Sequence, residues 1–234
     1  MPYKPEHKRR TRARIVASAS RLFNRHGFGG VSIDAIMADA GLTRGGFYAH
    51  FPTKEALYAE AVTHILGNNP AAEWDDFHVD FSAVGARLAR QILEAYLSRR
   101  HHELVDLSCP MITLSADVTR GGEEVRGAFR TVLAAMSGAF AAGLDGPTTE
   151  ARRKSLALVA SVVGGMALSR AVGDEALADE IRAAVRAHVL RESGWDAVEY
   201  PGDSCVLAAA RLRSPGSRPA GLRRPSRPRR RGRP

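Results

Sequence analysis

The sequence contains few cysteines and few aromatic residues, and it has no long uncharged apolar run. Its two cysteines, Cys109 and Cys205, lie far apart in a chain of 234 residues, which argues against the disulfide framework of a small secreted protein. No stretch reaches the roughly 18 apolar residues of a membrane-spanning helix, and the basic N-terminus shows no apolar signal-peptide segment. We therefore expect a cytoplasmic protein of one or two domains.

Charge is distributed unevenly along the chain. Residues 203–234 contain ten arginines and one aspartate, and residues 1–14 contain six basic residues and one acidic residue. The intervening residues 15–202 contain 18 basic and 23 acidic residues, so that only the two ends are strongly positive. This distribution favours a protein that binds DNA at one basic end and not over its whole surface.

Apolar residues recur at helical spacing through most of the chain, and no segment alternates in polarity as a strand would. The pattern predicts an all-α protein of about nine helices. From residue 54 onward, helices are predicted over residues 54–66, 81–100, 123–142, 152–170 and 175–192. Within residues 104–118, Pro110 can sit in the first turn of a further helix. From about residue 203 the composition becomes rich in arginine and proline, which predicts a disordered tail.

Residues 31–54 have the pattern of two short helices around a tight turn. Ser32 is a good N-cap for the first helix, and Gly41 supplies the stop that can adopt a positive φ. Thr43 is placed to cap the second helix, which ends at Pro52. Helix, glycine-containing turn and helix form the helix-turn-helix pattern, in which the second helix enters the DNA major groove.

Residues 40–57 make the helix-turn-helix prediction more specific than capping and spacing alone. Residues 40–57 read Ala-Gly-Leu-Thr-Arg-Gly-Gly-Phe-Tyr-Ala-His-Phe-Pro-Thr-Lys-Glu-Ala-Leu. They resemble the signature of the TetR family of bacterial repressors, which combines a glycine, a capping Thr or Ser, Tyr-x-His-Phe, and a lysine at the start of the next helix. The resemblance implies a three-helix DNA-binding head in residues 1–53. It also implies an all-helical ligand-binding and dimerisation domain in residues 54–194. The Arg/Pro-rich tail, residues 195–234, is not part of the family pattern.

On that resemblance Arg44 is the candidate for reading a base edge, while Thr43, Tyr48, His50 and Lys54 match positions that contact the DNA backbone. Tyr48 and His50 could instead be half-buried rings that brace the head. A basic arm before the first helix suits phosphate contact, and glycines in the second helix suit close approach of the backbone to DNA. The full predicted DNA-binding set is Lys8, Arg9, Arg10, Arg12, Ser32, Thr43, Arg44, Gly45, Gly46, Tyr48, His50 and Lys54.

The resemblance also places a ligand pocket and a dimer interface in the second domain. Apolar candidates for a lipophilic ligand, which could equally be core residues, are Cys109, Met111, Leu114, Phe129, Met136, Met166 and Trp195. In the family two subunits pair through the last two long helices in a four-helix bundle. The corresponding interface residues here are Leu156, Val159, Ala160, Val163, Gly164, Ala167, Ile181, Val185 and Val189.

The predicted function is a transcriptional repressor that binds a palindromic operator as a homodimer and is released by a small lipophilic effector. The protein would be cytoplasmic and nucleoid-associated when bound to DNA. We expect no cofactor, no metal site and no enzymatic activity, since no phosphate loop or nucleophile elbow is present. The polar residues His101, His102, Glu103 and Asp106 are better explained as a solvated helix end than as metal ligands. Two alternatives stay open: a redox or electrophile sensor using Cys109, and non-specific nucleic-acid binding through the Arg-rich tail.

Overall fold

The computed structural model describes residues 5–72 and 79–198, which form ten α-helices joined by short turns and contain no β-strand. The all-α prediction is confirmed. Within these residues no helix is both long enough and apolar enough to cross a membrane. The Arg-rich segment 203–234, and with it Cys205, lies outside the described residues.

The head, residues 5–53, contains the helices α1 (Pro5–His26) and α2 (Ile33–Asp39) and a 3-10 helix, Arg44–Ala49, which we call the recognition turn. Gly41 takes the predicted positive φ, 65°, where the chain leaves α2. Six large apolar side chains of the head are almost fully buried in the core: Ile15, Phe23, Ile36, Met37, Phe47 and Phe51.

The recognition turn is wound more tightly than the α-helix that the sequence pattern predicts. The His50 N–H donates to the Phe47 carbonyl at 2.9 Å, and the Gly46 N–H donates to the Thr43 carbonyl at 3.1 Å, which are the i to i+3 bonds of a 3-10 helix. Two adjacent glycines, Gly45 and Gly46, disfavour a regular α-helix because glycine loses the most backbone entropy on ordering.

Helix α3 (Lys54–Thr63) and a 3-10 turn (His64–Leu66) connect the head to the body, residues 79–198. The predicted helix 81–100 is wrong in its bounds, because Ser98 starts a new helix by accepting a hydrogen bond from the His101 N–H at 3.1 Å. The helices of the body are α4 (Gly85–Tyr96), α5 (Arg99–Glu103), α6 (Pro110–Thr113), α7 (Ser115–Arg120), α8 (Glu123–Ala142), α9 (Thr148–Ala171) and α10 (Glu175–Ser193).

Helix α3 packs against α1 of the head and against α8 of the body, and α9 packs against both α8 and α10. Trp195 anchors the segment that follows α10. Its indole N–H donates to the Gly143 carbonyl at 2.7 Å, and its ring lies edge-on to Phe140 with centroids 5.0 Å apart. The folded body therefore continues past Gly194, where the sequence predicted the tail to begin.

Candidate nucleic-acid interface

Ser32 and Thr43 precede the two segments of the helix-turn-helix but use their hydroxyls differently. Ser32 Oγ accepts a hydrogen bond from the Ala35 N–H at 3.1 Å, as an N-cap should. Thr43 has the extended backbone of a cap residue, yet its exposed side chain makes no capping hydrogen bond. The Thr43 hydroxyl can therefore donate to a phosphate oxygen without losing a capping bond.

Arg44 begins the recognition turn with an exposed side chain. Its Nη1 donates to Oδ2 of Asp34 in α2 at 2.7 Å. An exposed ion pair of this kind contributes little stability, so Arg44 can exchange the carboxylate for a base edge. Sequence reasoning missed Asp34, because an ion pair between two different elements leaves no periodic signal.

Gly45 and Gly46 are not required by the fold. A Cβ added at Gly45 would meet no atom within 4 Å, and a Cβ added at Gly46 would lie 3.6 Å from Met37 Cε. Neither residue has a positive φ. The two glycines therefore leave open backbone next to Arg44, where a DNA strand could approach closely.

Tyr48 and His50 occupy different environments. Tyr48 is 63% exposed, with its ring edge-on to Phe47 at a centroid distance of 5.2 Å. His50 is half-buried, and its Nδ1 is buried without a hydrogen-bond partner. Burial lowers the pKa of His50, and the nearby charges of Lys8, Arg12 and His7 lower it further. Neutral His50 suits a bracing role, whereas exposed Tyr48 can reach a phosphate.

Lys54 is turned toward the protein. Its Nζ donates to the Phe28 carbonyl at 2.5 Å and lies 4.2 Å from the centroid of the Phe28 ring. Burial lowers the pKa of Lys54. A contact between Lys54 and DNA remains a prediction, and it would require the ammonium to leave these partners.

The basic arm is helical from Pro5, and Lys8, Arg9 and Arg10 are exposed on it. Arg12 differs, because its guanidinium donates to the His50 carbonyl and to the Glu60 carboxylate. A cleft of about 430 Å³ beside the recognition turn combines basic and apolar side chains. It is lined by His7, Lys8, Thr11, Met37, Leu42, Thr43, Gly46, Ala49 and His50.

The candidate ligand residues lie away from the cleft beside the recognition turn. A second, smaller cleft, of about 70 Å³, lies between α1, the end of α3 and residues 106–108. None of the candidates lines either cleft. They belong to the core or pack against it: Cys109, Met111, Leu114, Met166 and Trp195 are buried, and Phe129 and Met136 are half-buried.

Cys109 lies in a buried polar cluster. Burial raises the pKa of its thiol, although the neighbouring Tyr96 hydroxyl and the Arg170 guanidinium act in the opposite direction. The Arg170 Nη1 donates to Ser108 Oγ at 2.6 Å. The predicted stabilisation of a thiolate by a helix N-terminus is weak here, because α6 has only four residues.

The possible metal ligands are directed to other partners. His101 Nδ1 lies 2.7 Å from the Tyr96 carbonyl, and Asp106 pairs with both Nε and Nη2 of Arg25 at 2.6 Å. His102 Nε2 lies 3.2 Å from the Ser169 carbonyl, and Glu103 accepts from Arg99. In the described part of the chain, no group of three or more such side chains could hold a metal ion.

The predicted dimer residues divide into two groups. Val159 and Val189 are 2% and 0% exposed and belong to the core of their own subunit, so they are not available to a partner. Leu168, which is 60% exposed, and Leu177, which is 45% exposed, extend the apolar surface. The remaining predicted residues are partly or fully exposed: Leu156, Ala160, Val163, Gly164, Ala167, Ile181 and Val185.

Comparison with known proteins agrees with this architecture. Residues 15–61 match the model of the bacterial regulatory proteins of the tetR family. YerO of Bacillus subtilis, an uncharacterized HTH-type transcriptional regulator, is 39% identical over 54 residues, which is 23% of this chain and 19% of that protein. The match therefore spans about a fifth of the length of this curated relative.

Solved structures share the fold over most of the chain. A TetR-family regulator from Agrobacterium tumefaciens gives a TM-score of 0.61 at 20% identity, covering 79% of this chain and 98% of that one. The reduced form of NemR from E. coli gives a TM-score of 0.60 at 18% identity, covering 77% and 95%. At identities this low, the comparisons show a shared fold and do not show a shared function.

The fold and the head define an all-α protein with a helix-turn-helix DNA-binding module. Residues 15–61 match the DNA-binding region of the bacterial tetR-family regulators, and the described chain has the fold of solved TetR-family structures.

Proposed function

We propose that the protein is a ligand-responsive repressor that binds a palindromic DNA operator as a homodimer. The observation that carries the proposal is the exposed surface of Thr43, Arg44 and Tyr48 beside the basic start of α1. On this surface the Arg44 guanidinium reads a base edge. The hydroxyls of Thr43 and Tyr48 donate to phosphate oxygens and set the register.

Selection of bound fragments from random DNA tests this proposal. We expect inverted repeats whose half-sites lie about one helical turn, or a multiple of it, apart. Arg44→Ala should relax the preference at one base of each half-site, at a cost of about 1–3 kcal/mol. Arg21→Ala is the matched control, because Arg21 also pairs with an α2 aspartate, Asp39, at 2.7 Å, but from α1. Recovery of no preferred sequence would sink the proposal.

The homodimer is supported by two adjacent glycines of α9 that have different surroundings. A Cβ at Gly165 would lie 2.7 Å from Cγ2 of Val185, so Gly165 lets α9 pack on α10 within one subunit. A Cβ at Gly164 would meet nothing within 4 Å. We propose that Gly164, beside exposed Ala160, lets the partner subunit approach closely.

Gly164→Leu should therefore yield a folded monomer by sedimentation and circular dichroism. Gly165→Leu should instead reduce the stability of the subunit itself, since Val185 cannot move away without disturbing α10. Dimers of unchanged affinity in Gly164→Leu would contradict the proposed surface.

The effector that we propose is a small lipophilic molecule bound in the body. Because α3 packs on both α1 and α8, a change in the body can reach the head through α3. Screening small molecules for release of the selected DNA tests this step. A true effector must bind the DNA complex more weakly by the same factor by which it weakens DNA binding.

The Cys109 sensor remains an alternative to the lipophilic effector. Tyr96 and Arg170 beside the thiol favour reactivity, but burial of the thiol opposes it. If electrophiles release Cys109→Ser from DNA as readily as the wild type, the sensor is excluded. Removing residues 203–234 tests the other alternative, since loss of all specific binding would favour the Arg-rich tail as the DNA-binding element.

A further inference from the structure

Arg12 makes a set of contacts unlike those of the other basic residues of the arm. Its Nη1 donates to the main-chain carbonyl of His50, and its Nη2 donates to the carboxylate of Glu60 in α3. Its Cζ lies 3.9 Å from the centroid of the Phe51 ring, in a cation–π arrangement. One side chain of α1 therefore contacts both the end of the recognition turn and α3.

These contacts suit arginine in particular. The planar guanidinium presents several N–H donors in a fixed fork, so it can bind a carbonyl and a carboxylate while its face covers an aromatic ring. A lysine ammonium is a point charge and cannot hold all three groups at once. Lys8, Arg9 and Arg10, by contrast, are exposed on the same helix.

The contacts join the DNA-reading element to the body. His50 and Phe51 end the segment that begins with Arg44, and Glu60 lies in the helix that packs on α8. A change in the position of α3 would move Glu60 and, through Arg12, the end of the recognition turn.

We propose that Arg12 is a positioning residue for DNA recognition, which fixes the recognition turn against α3, and that phosphate contact is left to the exposed residues Lys8, Arg9 and Arg10. The proposal rests on the proposed function, because it concerns how the DNA-reading surface is held. It revises the role that the sequence predicted for Arg12.

The test compares Arg12→Gln, Arg12→Lys, Glu60→Gln and the double variant of Arg12→Gln with Glu60→Gln. Fluorescence anisotropy gives the Kd for the selected operator and for a random duplex over a range of salt concentrations. We expect Arg12→Gln to weaken operator binding by about ten- to hundredfold, with random-duplex binding and the salt slope unchanged. Arg12→Lys should not restore binding, and the double variant should be no weaker than Arg12→Gln, because both changes remove one interaction.

Arg9→Gln is the matched comparison for a phosphate contact. It should weaken both duplexes similarly and reduce the salt slope by about one. The same behaviour in Arg12→Gln would overturn the proposal. So would an Arg12→Gln protein with a lower Tm but the wild-type operator affinity at a temperature at which it is folded.

Hydrogen exchange on the free protein separates this proposal from the function on which it rests. The amides of His50 and Phe51 donate to the Phe47 carbonyl at 2.9 and 3.0 Å and so report on the turn. They should exchange faster in Arg12→Gln and Glu60→Gln but not in Arg9→Gln, and unchanged exchange would overturn the positioning role. If the wild type selects no DNA sequence, the proposed function fails, while this measurement still decides whether Arg12 holds the turn.

Discussion

The head and the body hold their charged side chains in different ways. In the head, the guanidinium groups of Arg21 and Arg44 pair with aspartates in exposed positions. In the body, Arg90 and Glu94 are 3% and 6% exposed, and Glu94 accepts from both Nε and Nη2 of Arg186 at 2.6 Å. Exposed pairs can be exchanged for DNA at little cost, whereas a buried pair cannot lose one partner cheaply. The exposed pairs of Arg21 and Arg44 in the head are thus suited to exchanging partners, and the buried Glu94 pairs in the body are suited to keeping them.

The two regions nevertheless share one hydrophobic core, which includes Phe47 of the head and Phe140 of the body. Both side chains are 0% exposed. We expect Phe47→Ala and Phe140→Ala each to cost about 3–5 kcal/mol and to shift a single cooperative unfolding transition in urea. Two transitions, with Phe47→Ala affecting only one, would show that the head unfolds independently.

The pH dependence of stability should differ between the body and the head, and His101 of the body should contribute the larger part. Burial lowers the pKa of His101 to about 4. Unfolded His101 binds a proton below about pH 6.5, while folded His101 stays neutral until about pH 4. Neutral His101 therefore stabilises the folded state fully above about pH 6.5. This stabilisation is lost as the pH falls, and the loss reaches about 3 kcal/mol by pH 4.

The measurement is urea unfolding of the wild type and His101→Gln at pH 7 and pH 4.5. The difference in the free energy of unfolding between the two proteins should depend on pH, and a constant difference would contradict the prediction. His50→Gln in the head should show the same sign with a smaller change, because the pKa of half-buried His50 is also lowered.

Asn24 joins the two regions directly. Its Nδ2 donates to the carbonyls of Ser108 and Asp106 at 2.9 and 3.2 Å, and its Oδ1 accepts from the Thr113 hydroxyl at 2.8 Å. Asn24→Ala removes the partner of the buried Ser108 carbonyl and of two part-buried groups, and it should cost about 1–3 kcal/mol.

Arg25→Gln is the control, because it breaks the adjacent but exposed pair with Asp106 and should cost less than about 1 kcal/mol. The free energy of unfolding in urea is the measurement. Equal costs for the two variants would mean that burial of the Asn24 amide does not matter.

The smallest expected changes in stability are those of Ser32→Ala and Thr43→Ala, which remove the two hydroxyls of the helix-turn-helix. Ser32→Ala removes a capping bond and should cost about 1 kcal/mol of stability. Thr43→Ala removes no such bond, so it should leave the unfolding free energy unchanged while weakening operator binding. Thermal unfolding and DNA titration of both variants provide the check. A destabilised Thr43→Ala protein would indicate a structural role that the free structure does not show.

The sequence predicted some elements better than others for physical reasons. Helices α8 to α10 follow the predicted spans within a few residues, since each is long and has apolar residues at helical spacing throughout. In the region of α4 to α7, the prediction that Pro110 lies in the first turn of a helix is confirmed. The break at Ser98, which separates α4 from α5, was missed because α5 has only five residues. The proposed ligand residues form a core, as periodicity alone cannot separate a buried side chain from one that lines a pocket.

Local chemistry in the sequence determined the head. The Ser32 cap, the Gly41 stop and the Tyr48-x-His50-Phe51 motif each act within a few residues, and these features were sufficient to predict the helix-turn-helix and its similarity to the TetR-family head. Only the tertiary structure decided which of its basic residues have partners inside the protein. Arg12 and Lys54 contact carbonyl groups 38 and 26 positions away. Such partners depend on how helices pack, and spacing along the chain specifies a helix face but not what that face meets.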